Sequence, residues 1–257
     1  MLMNEVNRTG AKAAAYRVTK DYSISNPADI VLEDIAMARG VLVMESNLKG
    51  ADARLFQKGS QGVIRVKANL SMGQKRFAIA HEIGHWEIHK GISQIAYCTD
   101  SQIAGYKASP EELEASSFAA ELLMPTGLFR PMSQEVDPSL DLVKQLADKF
   151  NTGLTATSLR FIELNENPCM VVISDGRNMR WWKKNEGCGQ YWLESRQKID
   201  LTLASKCMKQ MSDDILFGSI PANAWFPHID QEDRDTVYEQ SMRLGSFNTV
   251  LTLLWFD

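Results

Sequence analysis

Arg76-Phe77-Ala78-Ile79-Ala80-His81-Glu82-Ile83-Gly84-His85-Trp86 decides the reading of this chain, because it sets His-Glu-x-x-His inside an apolar repeat. Phe77, Ile79, Ala80, Ile83 and Trp86 recur at helical spacing, which predicts a half-buried helix. Ser71, followed three residues later by Gln74, predicts its start as a capping box. On such a helix two histidines four apart lie about 40° apart round the axis and about 6 Å along it. Both imidazoles can then hold one tetrahedral zinc ion. Glu82, turned about 100° from His81, brings a carboxylate within reach of a water on that ion. A Lewis acid and a general base at one point are what peptide hydrolysis requires.

Residue usage argues against coincidence. The chain has four histidines in 257 residues, and His81, His85 and His89 fall together. A chance match at this composition is expected in well under about one chain in a hundred. His89 is predicted to stand outside the site. At about 12 Å along the helix from His81, it is too far to share one ion through bonds of about 2 Å. It suits the helix end, where an imidazole meets the negative pole of the dipole.

The third ligand is expected from a second helix, Ser109-Pro110-Glu111-Glu112-Leu113-Glu114-Ala115-Ser116-Ser117-Phe118-Ala119-Ala120-Glu121-Leu122-Leu123-Met124-Pro125. Ser109 suits the cap, Pro110 the first helical position, and Pro125 the stop. Leu113, Phe118, Ala119 and Leu122 form an apolar stripe, and Glu114, adjacent to it, can face the first helix. Glu111 and Glu112 read as a solvated first turn at the positive pole of the dipole. Glu121, seven residues beyond Glu114, reads as a partner behind the ligand or as a salt-bridge residue.

These two blocks, RFAIAHEIGHWEIH and EASSFAAELLMP, resemble the signature of the ImmA/IrrE family of zinc metallo-endopeptidases, approximately R-F-x-x-A-H-E-x-G-H and then E-A-N-x-F-A-x-x-L-L-x-P. His81, Glu82 and His85 match the first block; Glu114, Phe118, Ala119, Leu122, Leu123 and Pro125 match the second. The resemblance implies zinc held by His81, His85 and Glu114, with Glu82 as catalytic base. It further implies a helix-turn-helix transcriptional repressor as substrate, cleaved in a stress, phage or mobile-element switch. Ser116 departs from the family's asparagine, which leaves one hydrogen-bonding group where the amide offers two. The likeness is specific over residues 25–130.

Composition bounds the rest. The chain is 44% hydrophobic and 23% charged with a net charge of −4, an ordinary globular profile without the basic footprint of a nucleic-acid binder. Cys98, Cys169, Cys188 and Cys207 are widely spaced, so reduced thiols in a cytoplasmic protein are expected rather than disulfides. The start has no apolar signal segment and no run approaches a membrane span.

The expected organisation is α+β. Residues 1–24 read as a flexible arm, with at most a short helix at 11–19. Residues 25–132 read as a zincin-like peptidase domain, a mixed sheet laid against the motif helix. It opens with a helix from Asn26-Pro27 to Arg39, then a strand at 41–44 and a hairpin of 53–57 with 62–68, whose Ile64, Arg65, Val66 and Lys67 read as a protected sheet edge. Residues 133–167 read as a helix-turn-helix-like segment around Asn151-Thr152-Gly153, with charges so balanced that packing is favoured over DNA reading. Residues 168–257 read as a small β-rich domain. It starts with a hairpin at Asp175-Gly176, has β-rich runs at 193–203 and 237–255 and a helix near 204–211, and occupies the place of a GAF-like sensor in some relatives of the family. Trp181, Trp182, Tyr191, Trp192 and Trp225 cluster there, as a ligand surface or, more commonly, a small sheet's core.

Tyr97, Tyr106 and Arg76 are candidates for the oxyanion donor, and His228 reads as a loop or core histidine. The alternative to a protease is a non-catalytic, zinc-containing regulatory or antitoxin-like module that holds a partner protein, which would have no need of Glu82. A DNA-binding regulator built on 138–164 is a further alternative, opposed by the acidic balance.

Overall fold

The computed structural model describes residues 6–89, 109–134, 136–211, 214–228, 236–245 and 248–256. Its α+β fold divides into two units, Met1–Phe129 with Ala147–Gly153, and Arg130–Leu146 with Leu154–Asp257. Tyr97, Tyr106 and Cys98 lie outside the described residues.

In the first unit, helix α1 (Arg8–Asp21) contains the short helix expected at 11–19 and extends it at both ends. Asn7 caps it by accepting from the Gly10 amide, and Ala11, Ala14, Ala15 and Val18 bury one face. That face is too short in side chain to register as an apolar stripe, yet small residues let another helix approach closely. The expected helix from Pro27 to Arg39 is interrupted. A single 3-10 turn, Pro27–Asp29, is closed by the Asp29 carboxylate, which accepts from the amides of Ser25 and Asn26. Helix α2 (Leu32–Ala38) starts only after Ile30 and Val31, and Gly40 ends it in the left-handed conformation, φ 79°.

Strands β1 (Val41–Ser46), β2 (Ala53–Lys58) and β3 (Gln61–Lys67) form a mixed sheet ordered β1-β3-β2, with β1 parallel and β2 antiparallel to β3. The hairpin is as alternation predicts. Its second strand is not an edge, however: β3 is paired on both sides, which leaves β2 and β1 outermost. Gly62, Ile64 and Val66 are buried on one face of β3, and helix α3 (Met72–Ile88) lies against β2 and β3. The Ser71–Gln74 capping box is present, Ser71 Oγ accepting from the Gln74 amide at 3.4 Å and Gln74 Oε1 from the Ser71 amide at 3.1 Å. Helix α4 (Pro110–Leu123) packs on both α3 and α1, capped by Ser109 and ended before Pro125.

A short helix, α5 (Thr126–Phe129), is followed by α6 (Leu140–Phe150) and α7 (Leu154–Leu164), the predicted helix pair, joined through Asn151 at φ 54°. Arg160 of α7 is buried and paired with Glu163 at 2.9 Å, in keeping with packing over DNA reading.

The second unit carries an antiparallel sheet of five strands ordered β5-β4-β8-β7-β6. Strands β4 (Cys169–Ser174) and β5 (Met179–Lys184) flank Asp175-Gly176 as the turn chemistry predicts, with Gly176 at φ 80°. Helix α8 (Leu203–Gln210) precedes β6 (Leu216–Pro221), β7 (Thr236–Arg243) and β8 (Val250–Trp255). The β-rich run expected at 193–203 is irregular: it makes one isolated bridge, Asn178 with Lys198, and Arg196 at φ 60° breaks any extended course. Trp225 and Phe226 are fully buried with Met170, Val172, Val237 and Leu254, so the aromatic group belongs chiefly to the core. Trp192, by contrast, is half exposed and stacks on His228 with ring centres 4.5 Å apart. Cys169, Cys188 and Cys207 are buried, and burial pushes the Cys169 thiol up to about 12. Among the described residues no helix is long and apolar enough to cross a membrane.

Candidate metal centre

The centre is built where α3 and α4 touch. Gly84 of α3 makes the close approach possible: a Cβ there would sit 3.1 Å from Phe118 Cδ1 and 3.2 Å from the Ala115 backbone of α4. Once Ala115 faces α3, helix periodicity places Glu112, Ser116 and Ala119 on the same side. Each of them carries that consequence into contacts or burial.

His81 and His85 project together, their Nε2 atoms 3.1 Å apart. Glu112 meets both, with Oε2 3.2 Å from His81 Nε2 and Oε1 3.2 Å from His85 Nε2. Among the described residues these three side chains form the cluster able to hold a metal ion. All are largely enclosed, their side chains 6%, 10% and 12% exposed. Burial pushes the Glu112 carboxyl up, but hydrogen bonds and charge from His81 and His85 outweigh it and hold it well below the usual carboxylate range. Glu82 is completely buried beside them on α3.

The expected third ligand, Glu114, is not brought into this cluster. It is turned about 200° round the helix axis from Glu112. Its Oε2 lies 2.9 Å from His89 Nε2, and its Oε1 accepts from the Asn7 amide at 2.7 Å. Glu112, read from sequence as a solvated residue, is the carboxylate the fold delivers. The missed signal was the small-residue row of Ala115 and Ala119 opposite Gly84, which sets the helix phase and puts Glu112 on the inner face. Ser116 occupies the departing family position, its Oγ 3.3 Å from His81 Nδ1. His89 caps the end of α3 and its Nδ1 lies 3.0 Å from His85 Nδ1, outside the cluster as its spacing predicts. Glu121 is buried behind, accepting from the amide and hydroxyl of Thr126 at 2.9 and 2.8 Å. Arg76 Nη1 donates to the Ile30 carbonyl at 3.1 Å, which ties the side chain to the turn before α2.

The donor set fits zinc. Two imidazole nitrogens and a carboxylate are the ligands of one common catalytic zinc class, which leaves a fourth position open. Bonds of 2.0–2.2 Å at tetrahedral angles separate ligand atoms by about 3.4 Å, close to the 3.1–3.2 Å found between these atoms. The ionised carboxylate offsets one of the two charges of a divalent cation.

Comparison with known proteins bears on the same region. Residues 36–161 match the family model described as IrrE N-terminal-like domain, Peptidase_M78. An uncharacterized immunity region protein 2 of Bacillus phage phi105 is 27% identical over 115 residues, 44% of this chain and 68% of that protein. A solved Mycobacterium tuberculosis transcriptional regulator is similar in fold, with a TM-score of 0.65 at 16% identity, covering 96% of this chain and 76% of that one.

Proposed function

The chain carries an IrrE/ImmA-like peptidase domain, and from that premise we propose that it is a zinc-dependent endopeptidase acting in the cytoplasm on a helix-turn-helix repressor or similar regulatory protein. The observation that carries this reading is the convergence of His81, His85 and Glu112 on one point, with Glu82 buried next to them. A metal-binding pair alone would suit a structural site; a buried glutamate one residue from a ligand adds the proton acceptor that hydrolysis needs. The likeness to a phage immunity-region protein supports a phage or mobile-element setting.

His81, His85 and Glu112 would hold the ion. When bound, zinc supplies a Lewis acid that activates water for attack and polarises the scissile carbonyl. Glu82 accepts the proton of the attacking water and returns it to the departing amine nitrogen. Ser116 and His89, at the Nδ1 atoms of the two histidines, hold the rings so that both Nε2 atoms face inward. The zincin-like reading adds that an extended substrate pairs with an outermost strand of the β1-β3-β2 sheet through main-chain hydrogen bonds. The β-rich second unit selects or regulates and contributes no proton transfer.

Purified protein incubated with a repressor encoded beside it tests this reading. Cleavage that stops on chelation and returns with added zinc supports it; cleavage indifferent to chelator, or no cleavage of any neighbouring regulator by the zinc-loaded protein, overturns it.

A further inference from the structure

We infer that His89 and Glu114 are positioning residues that fix the metal-binding nitrogen of His85, and that the N-terminal helix is part of the same support. The inference rests on the metal-centre reading and extends it to residues that touch no ion.

For His85 to bind metal through Nε2, its ring proton must sit on Nδ1. That atom needs an acceptor, and His89 Nδ1 stands 3.0 Å away. A neutral imidazole that accepts at Nδ1 carries its own proton on Nε2. The Nε2 of His89 lies 2.9 Å from Glu114 Oε2, which can only accept when ionised. The order is therefore fixed at both ends: Glu114 sets the tautomer of His89, and His89 sets that of His85. Glu114 is itself held, because its other oxygen accepts from the Asn7 amide at 2.7 Å, at the cap of α1. All four groups belong to one unit, and α1 packs along α4, so the anchor is as firm as that helix pair. Side chains 10% exposed at His85 and His89 and 13% at Glu114 leave the His85–His89 and His89–Glu114 contacts part-buried, where a hydrogen bond counts for more than in water. His81 is held by a shorter device, Ser116, so the two histidines differ in how far their support extends.

Zinc affinity of the full chain, measured by competition with a chromophoric chelator at fixed near-neutral pH, tests this. His89→Leu, which keeps bulk but no polar atom, and Glu114→Ala should each weaken binding by about 10–100-fold. Their combination should be little worse than the weaker single variant, since both break one chain. His89→Gln, able to accept from His85 and donate to Glu114, should recover most of the loss. Wild-type affinity in folded His89→Leu and Glu114→Ala proteins would overturn the inference. So would abolition of binding by Glu114→Ala with Glu112→Ala unaffected, because Glu114 would then be a ligand. If His89→Leu fails to fold, Glu114→Ala and His89→Gln decide the matter. Failure of the wild-type chain to bind zinc would instead remove the metal centre itself, a result distinct from either.

Discussion

Glu239 in the second unit is wholly enclosed and Glu112 in the first largely so, and the two carboxylates differ in the kind of neighbour around them. Glu239 of the second unit is wholly enclosed on β7. It accepts from Trp225 Nε1 at 2.9 Å, from Ser241 Oγ at 2.8 Å, and from the amides of Leu203 and Ala204 at 3.1 and 2.7 Å. Those amides open helix α8, whose positive pole also favours an anion. Every donor is a fixed part of the fold that cannot be exchanged for an ion. Glu112 of the first unit faces imidazoles, which can trade a proton for a metal. The balance of forces differs accordingly. Burial prevails over the donors at Glu239 and raises its carboxyl, whereas the histidines prevail over burial at Glu112 and lower it. Burial of a charge marks a structural device or a chemical one according to whether its partners can change.

The sharpest way to break this comparison is through activity. Glu82→Gln removes the base and no ligand, so turnover should fall by about 10²–10⁴-fold while zinc content stays at the wild-type value. Glu239→Gln should leave turnover per folded molecule unaltered; an equal loss in both would make the second unit part of the chemistry. Equilibrium unfolding should reverse the ranking. Glu239→Ala leaves Trp225 Nε1 and two helix amides without their acceptor and should cost about 3 kcal/mol, read from the shift of a urea midpoint. Little or no shift would mean that the donors find water and that Glu239 is not a structural device.

Gly84→Val probes the helix contact that creates the first site. Its side chain would meet Phe118 and Ala115 at distances a real Cβ rarely shows, costing about 1–3 kcal/mol and weakening zinc binding as α4 is pushed outward. Full stability with unchanged affinity would show that Glu112 does not depend on this close approach. The smallest effect is in pH. A carboxyl raised in the folded state contributes stability below its ordinary value of 4.5, and that contribution is lost as pH rises from there through the folded value. Glu239→Gln should therefore flatten the decline of stability above pH 4.5, as followed by thermal unfolding at stepped pH. A slope unaltered by the substitution would assign the decline to other groups.

Much of the first site was legible because its signals are local. The capping box, the apolar spacing and the two histidines all lie within one helix, Met72–Ile88, and a helix obeys its own period. The hairpin at Asp175-Gly176 was legible for the same reason. What sequence left unread depends on partners. Whether Glu112 or Glu114 meets the His81–His85 pair is set by the phase of a second helix, and that phase follows from Gly84 meeting Ala115 across 31 positions of chain. Helix α1 reads from sequence as no more than a short helix in an arm because its buried residues are mostly alanines, whose burial is decided by α4. The run at 193–203 reads as strand by composition, but a single bridge to Asn178 is all that the turn at Arg196 allows it.

The most direct test of the account is the zinc content of the wild type, Glu112→Ala and Glu114→Ala proteins, purified in parallel and measured by elemental analysis after equilibration with equal, saturating zinc. One zinc per chain is expected in the wild type, none retained in Glu112→Ala, and close to one in Glu114→Ala. Full zinc in Glu112→Ala with loss in Glu114→Ala would contradict it and return the third ligand to Glu114.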